Sequence, residues 1–106
     1  MHAAGRRTGT GTNDNDVLFT QEQLTPYDTF MLASTTGAVD VEVSLDGTNF
    51  VGPVSLTDMG ATTSDPVLVT AADRLYGFRG VGFHSVRVIQ NGATASEATL
   101  TYGTMG

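Results

Sequence analysis

Apolar and polar residues alternate along most of this chain, and the alternation has a period of two. Val39, Val41, Val43 and Leu45 interleave with Asp40, Glu42 and Ser44. Successive side chains of an extended strand point to opposite faces, so this run predicts a half-buried β-strand. It ends in Asp46-Gly47-Thr48-Asn49. A second alternating run, His84 to Gln90, ends in Asn91-Gly92 and continues through Ala93 to Tyr102. Asp-Gly and Asn-Gly accept positive φ at little cost, so between alternating segments each predicts a hairpin.

The same reading places the remaining strands. Val17 to Thr20 is a short first strand. Tyr27 to Ser34 is a second, with Phe30 and Leu32 toward the core. Asn49-Phe50-Val51 begins a return strand that bulges at Gly52-Pro53. Val67-Leu68-Val69-Thr70 follows Pro66, and Arg74 to Arg79 follows a tight corner at Ala71-Ala72-Asp73. Asp58 to Asp65 is polar and turn-rich. No segment carries a period of 3.6, so Gln21 to Leu24 makes a single turn at most. About eight short strands at spacings of roughly 8–12 residues predict an all-β fold, an antiparallel β-sandwich of Ig-like or jelly-roll-like type.

Residues 1–16 break the pattern. They are Gly, Thr, Arg, Asn and Asp with almost no apolar anchor, which predicts a flexible N-terminal arm ahead of one domain over 17–106. Such an arm would order on a neighbouring subunit, with Arg6 and Arg7 meeting carboxylates there. Its removal would then leave the body folded.

Composition narrows the function. A chain of 106 residues supports one core. Cysteine is absent, which removes disulfides, thiolate metal sites and cysteine nucleophiles. No run approaches the ~18 apolar residues of a spanning helix, and the first residues lack the apolar stretch of a secretory signal. Synthesis in a cytosol and no membrane partner are expected. The formal charge is −6 and unevenly placed: residues 1–12 hold two arginines and no acid, whereas residues 13–106 hold three arginines against eleven acids. An acidic body repels phosphate, so nucleic acid is not an expected partner. All five basic residues are arginines, whose planar fork suits carboxylate pairing at protein interfaces. Arg6, Arg7, Arg74 and Arg79 are therefore candidate interface residues.

Catalytic chemistry finds little support. His84 is the one histidine of the body, and its neighbour Ser85 should point to the opposite face of a strand, out of reach. No Gly-x-Ser-x-Gly elbow exists, and the chain reads as a non-enzyme. Asp14, Asp16, Asp46, Asn49, Asp58 and Asp65 offer the hard oxygens calcium takes, but none sits in a spaced calcium loop. Turn geometry already demands Asp-Gly and Asn-Gly, so no metal and no cofactor are expected. Gly77, Gly80 and Gly82 precede no helix and so make no phosphate cradle. Tyr27 and Tyr102 are candidate surface contacts, including for stacking on a sugar.

The segment Val41 to Phe50, an alternating strand followed by Ser-x-Asp-Gly-Thr-Asn-aromatic, resembles a hairpin of small virion proteins of tailed bacteriophages. The stretches Arg74 to Gly80, Val86 to Val88 and Asn91 to Ala95 are similar in style to such proteins. This resemblance implies a structural component of the particle, and head decoration or cement proteins fit best. Members of that class are commonly trimers seated on the outer capsid surface between major capsid subunits. The implied partners are the major capsid protein lattice and sister copies, in a virion assembled within a bacterial host. No functional residue carries over singly. A tail, fibre or adaptor module and a glycan-binding sandwich for host attachment are the alternatives.

Overall fold

The computed structural model describes residues 1–60 and 65–105. Eight strands run in the order β1 (His2–Gly11), β2 (Val17–Gln21), β3 (Thr29–Thr36), β4 (Val39–Ser44), β5 (Thr57–Asp58), β6 (Arg74–Arg79), β7 (Ser85–Gln90) and β8 (Ser96–Thr104). They form two antiparallel sheets, one of five strands in the order β1-β8-β3-β6-β5 and one of three in the order β2-β7-β4. Among the described residues there is no α-helix. The fold is a β-sandwich, as the alternation predicts.

Alternation decides which side chains fill the space between the sheets. Phe30 and Leu32 of β3 and Leu100 of β8 meet Val41 of β4 and Val86 and Val88 of β7, all fully buried. The Phe30 and Phe78 rings stack with centroids 4.9 Å apart, and Phe83 leans on Phe30 at 5.7 Å. Burying each such side chain contributes about 1.5–3 kcal/mol.

The turns do not do what their sequences predict. β7 and β8 flank Asn91-Gly92 yet lie in different sheets: β8 is already paired with β1 and β3, and β7 with β2 and β4. The polar groups of the turn bind elsewhere. Gly92 N–H donates to Asp14 Oδ1 at 2.8 Å, and Asn91 N–H to the Ala38 carbonyl at 2.9 Å. The connection is thus an arch across the sandwich. After Asp46-Gly47 the chain does return, but it pairs only through an isolated bridge between Val43 and Val51. The Gly52–Pro53 bond is cis, and Val54 N–H then reaches the Val41 carbonyl at 2.8 Å. Val67 to Thr70 is also not a strand. Val67 bridges Leu56, Leu68 and Val69 are exposed, and Thr70 is buried against Ser34 through a 3.2 Å hydrogen bond. Residues 61–64 of the turn-rich stretch expected from Asp58 to Asp65 lie outside the described residues.

The largest departure is at the N-terminus. His2–Gly11, expected as part of a flexible arm, is strand β1, paired along its length with β8 from His2↔Thr104 to Gly11↔Ser96. Its period of two is carried by glycine. Gly5, Gly9 and Gly11 alternate with Arg6, Thr8 and Thr10, and the glycine side is where the other sheet approaches. A Cβ on Gly9 would collide with the Leu18 carbonyl and lie 2.7 Å from the Phe19 ring, and one on Gly5 would collide with the Tyr102 hydroxyl. The strand orders because its bare face lets β2 close directly onto it.

Replacing Gly9 with alanine should therefore destabilise the protein by about 1–3 kcal/mol through overpacking. Thr10→Ala, on the other face, should stay within about 0.5 kcal/mol of the parent. Urea unfolding midpoints test this. Equal midpoints for the two variants would mean that β1 is not packed on β2.

Candidate functional site

The candidate interface residues separate into those used within the fold and those left over. Arg7 donates from Nη1 to the Thr20 carbonyl at 2.7 Å, with its guanidinium 5.7 Å from the Phe19 ring centroid. It ties β1 to β2 inside one chain. Arg74 pairs with Asp58 at 2.6 Å, across β6 and β5. Arg87, not singled out from the sequence, pairs with Glu42 at 2.7 Å and stacks over Phe50 at 4.2 Å. Tyr27 and Tyr102 pack together with ring centroids 5.3 Å apart, half-buried against the core. Arg6 and Arg79 remain exposed with no ion pair among the described residues.

Those last two mark opposite sides of one surface, the outer face of the five-stranded sheet. Strand register aligns Arg6, Thr101, Met31, Gly77 and Thr57 in a row across all five strands. The next row is Thr8, Thr99, Ala33 and Leu75. Thr8 and Thr99 share a 2.8 Å hydroxyl hydrogen bond, and Leu75 is 45% exposed. On a chain of net charge −6, these two rows hold no acid. At its edge, the outward backbone groups of β1 have no partner among the described residues.

An open groove of about 750 Å³ cuts into this face beside β3 and β6. All four methionines of the chain, Met1, Met31, Met59 and Met105, line it. Gly77 forms its floor: a Cβ there would stand 3.4 Å from both the Met31 and Met59 sulfurs. Among the described residues, Arg79 is the only charged side chain in the lining. No sequence signal points to this convergence, since the methionines lie far apart in the chain and only the sheet register brings them together.

The Ser44–Asn49 turn is the most strongly organised polar feature. Asp46 Oδ1 accepts from the Thr48 and Asn49 amides, each at 2.8 Å, and from the Ser44 hydroxyl at 2.9 Å. Among the described residues, Oδ2 accepts only from Asn49 Nδ2 at 2.8 Å. The amides of Asn49 and Thr48 hold its carboxyl well below the usual carboxylate range. Asp16 is lowered by the Asn13 and Thr12 amides. Asp28 is lowered first by the Thr29 hydroxyl and also by the Met105 amide and the charge of Arg79. The Asp-Gly-Thr-Asn sequence builds a self-contained turn. Among the described residues, no group of three or more acids and histidines could hold a metal ion.

His84 and Ser85 do pair, with Nδ1 and Oγ 2.6 Å apart, contrary to the sequence expectation. His84 lies one residue before β7, with its N–H on the Ser44 carbonyl, so strand alternation does not govern it. Ser85 is fully buried, and among the described residues no carboxylate hydrogen-bonds the His84 ring. A pair so placed packs the Gly47 turn, where a Cβ would lie 2.7 Å from the ring.

No protein-family model matches the chain, and no curated protein matches it. Among solved structures, the crystal structure of the SPBc2 prophage-derived protein YomS has the same fold. The TM-score is 0.65 over 97% of this chain and 99% of that one, at 7% sequence identity. The two therefore share a fold end to end, with almost no sequence in common.

The lowered carboxylates give a signed pH dependence. Each has a folded pKa below its unfolded value, so its contribution is complete above about pH 4 and lost as pH falls toward the folded value. Asp46→Asn removes one of the three, so its stability should fall less steeply than the parent's between about pH 4 and pH 2. Urea midpoints across that range measure it. Parallel curves would show that Asp46 is not held ionised by its turn.

Proposed function

We propose that this chain is a non-enzymatic structural protein of a bacteriophage particle, and within the particle a head decoration or cement protein. It seats on the outer capsid surface between major capsid subunits, as a homo-oligomer, after synthesis in the bacterial cytoplasm. The observation that carries this reading is the outer face of the five-stranded sheet: broad, threonine-rich, with two rows that hold no acid, and cut by an apolar groove. A continuous face of that kind on an otherwise acidic domain is what a subunit contact needs.

Two further observations support it. The fold is shared along its whole length with a prophage-derived protein. Several polar groups are engaged in holding turns and strands: Ser85 is buried under His84, Asp46 is tied into its turn, and Arg74 and Arg87 are paired with acids. A cement protein works by mass action. Binding the assembled shell and not the disassembled one adds the free energy of each new contact to the stability of the shell.

Cryo-microscopy of particles produced by the phage that encodes the chain tests the proposal. The expected result is density for the sandwich on the head, at junctions between capsid subunits. Particles assembled without the chain should release their contents at a lower temperature. Density confined to the tail would overturn the decoration assignment, and particles lacking the chain altogether would overturn the virion assignment.

A further inference from the structure

We infer that copies of this chain join by seating the Leu45–Val51 turn of one copy in the methionine groove of the next. The inference rests on the homo-oligomer part of the reading above and not on the particle.

The groove asks for an apolar occupant with an acid beside it. Methionine is flexible and polarisable, and surfaces built from it mould to an incoming side chain. Four methionines over a glycine floor provide such a surface, and Arg79, whose charge also acts on Asp28, supplies a guanidinium in the lining. The turn presents the complementary set. Leu45 is 72% exposed and Val51 is 66% exposed, values that leave both side chains outside their own core. Val51 bridges Val43 just where Leu45 leaves β4, so the two apolar side chains flank one turn. Asp46 sits between them in sequence, and among the described residues its Oδ2 accepts from Asn49 Nδ2 alone, which leaves it room to accept from an arginine of another copy.

Rigidity favours the contact. The turn is held by four hydrogen bonds to Asp46, so little freedom remains to be lost on docking. Position favours it too. Thr29 of β3 pairs with Arg79, and Ser44 of β4 pairs with Ser85. The short link from Arg79 to Ser85 joins the end of β6 to the start of β7, which puts the turn and the Arg79 side of the groove at the same end of the sandwich. A head-to-tail contact of this kind builds a ring where the rotation between successive copies closes.

Sedimentation of the full chain and two variants tests this. Leu45→Asp removes the occupant and Met59→Glu puts an acid in the groove. Both positions are exposed, so circular dichroism should show parent-like folding. The parent should sediment as a discrete oligomer, and each variant alone should fall to the 11.1 kDa monomer. An equimolar mixture should recover a species of twice the monomer mass, since one partner keeps the turn and the other keeps the groove. A parent that is monomeric, a folded variant that keeps the parent mass, or a mixture that stays monomeric would each overturn the inference. A monomeric parent that still seats on phage heads would overturn it while leaving the virion reading intact.

Discussion

Everything in this molecule depends on how closely strand β2 approaches the bare side of β1. Glycine at positions 5, 9 and 11 leaves no side chain between the two sheets at that edge, and the Leu18 backbone, the Phe19 ring and the Tyr102 hydroxyl occupy the space. Arg7, the one inward position of that row with a side chain, reaches across to the Thr20 carbonyl. Because β1 is fixed there, β8 is paired on both sides and becomes an interior strand of its sheet. Because β8 is interior, Met105 beyond its end and Met1 before β1 are brought to the groove.

The division of labour among residues follows from that closure. Buried polar groups need partners, and Ser34 finds Thr70 and Ser85 finds His84, while the half-buried Arg87 pairs with Glu42. Polar groups paired in this way rigidify the body. What the fold leaves exposed among the described residues is of another kind: a threonine-rich surface, an apolar groove, the outer edge of β1 and two large apolar side chains on a hydrogen-bonded turn. Exposed apolar and unpaired features of this kind gain free energy when another surface covers them, and the proposed association builds on that.

Where apolar residues carry the period of two, strands are legible in the sequence. Val39–Ser44, Thr29–Thr36, Arg74–Arg79 and Ser85–Gln90 all lie within two residues of their expected places. The first strand was hidden because glycine stands where apolar residues would, and composition alone then reads as disorder. The Gly/Thr alternation over residues 8–11 was the available signal. Asn91-Gly92 marks a reversal correctly, but a turn sequence does not say whether the next strand joins the same sheet or crosses to the other. That choice is made by Asp14 and Ala38, far away in sequence, which take the hydrogen bonds of the turn. The arginines read as interface candidates because charge type is visible in sequence and partners are not. Arg7 and Arg74 proved to have theirs at Thr20 and Asp58. The groove was invisible for the same reason: no local pattern links four methionines spread over the whole chain.

Amide hydrogen exchange of the isolated, full-length protein tests the central claim most directly. If the glycine face of β1 is closed by β2 within a single chain, the amides of residues 2–11 that point toward β8 should be protected in alternation, to a degree approaching those of β3. Uniformly rapid exchange over residues 2–11, with β3 still protected, would contradict it: the first strand would then form only on another subunit.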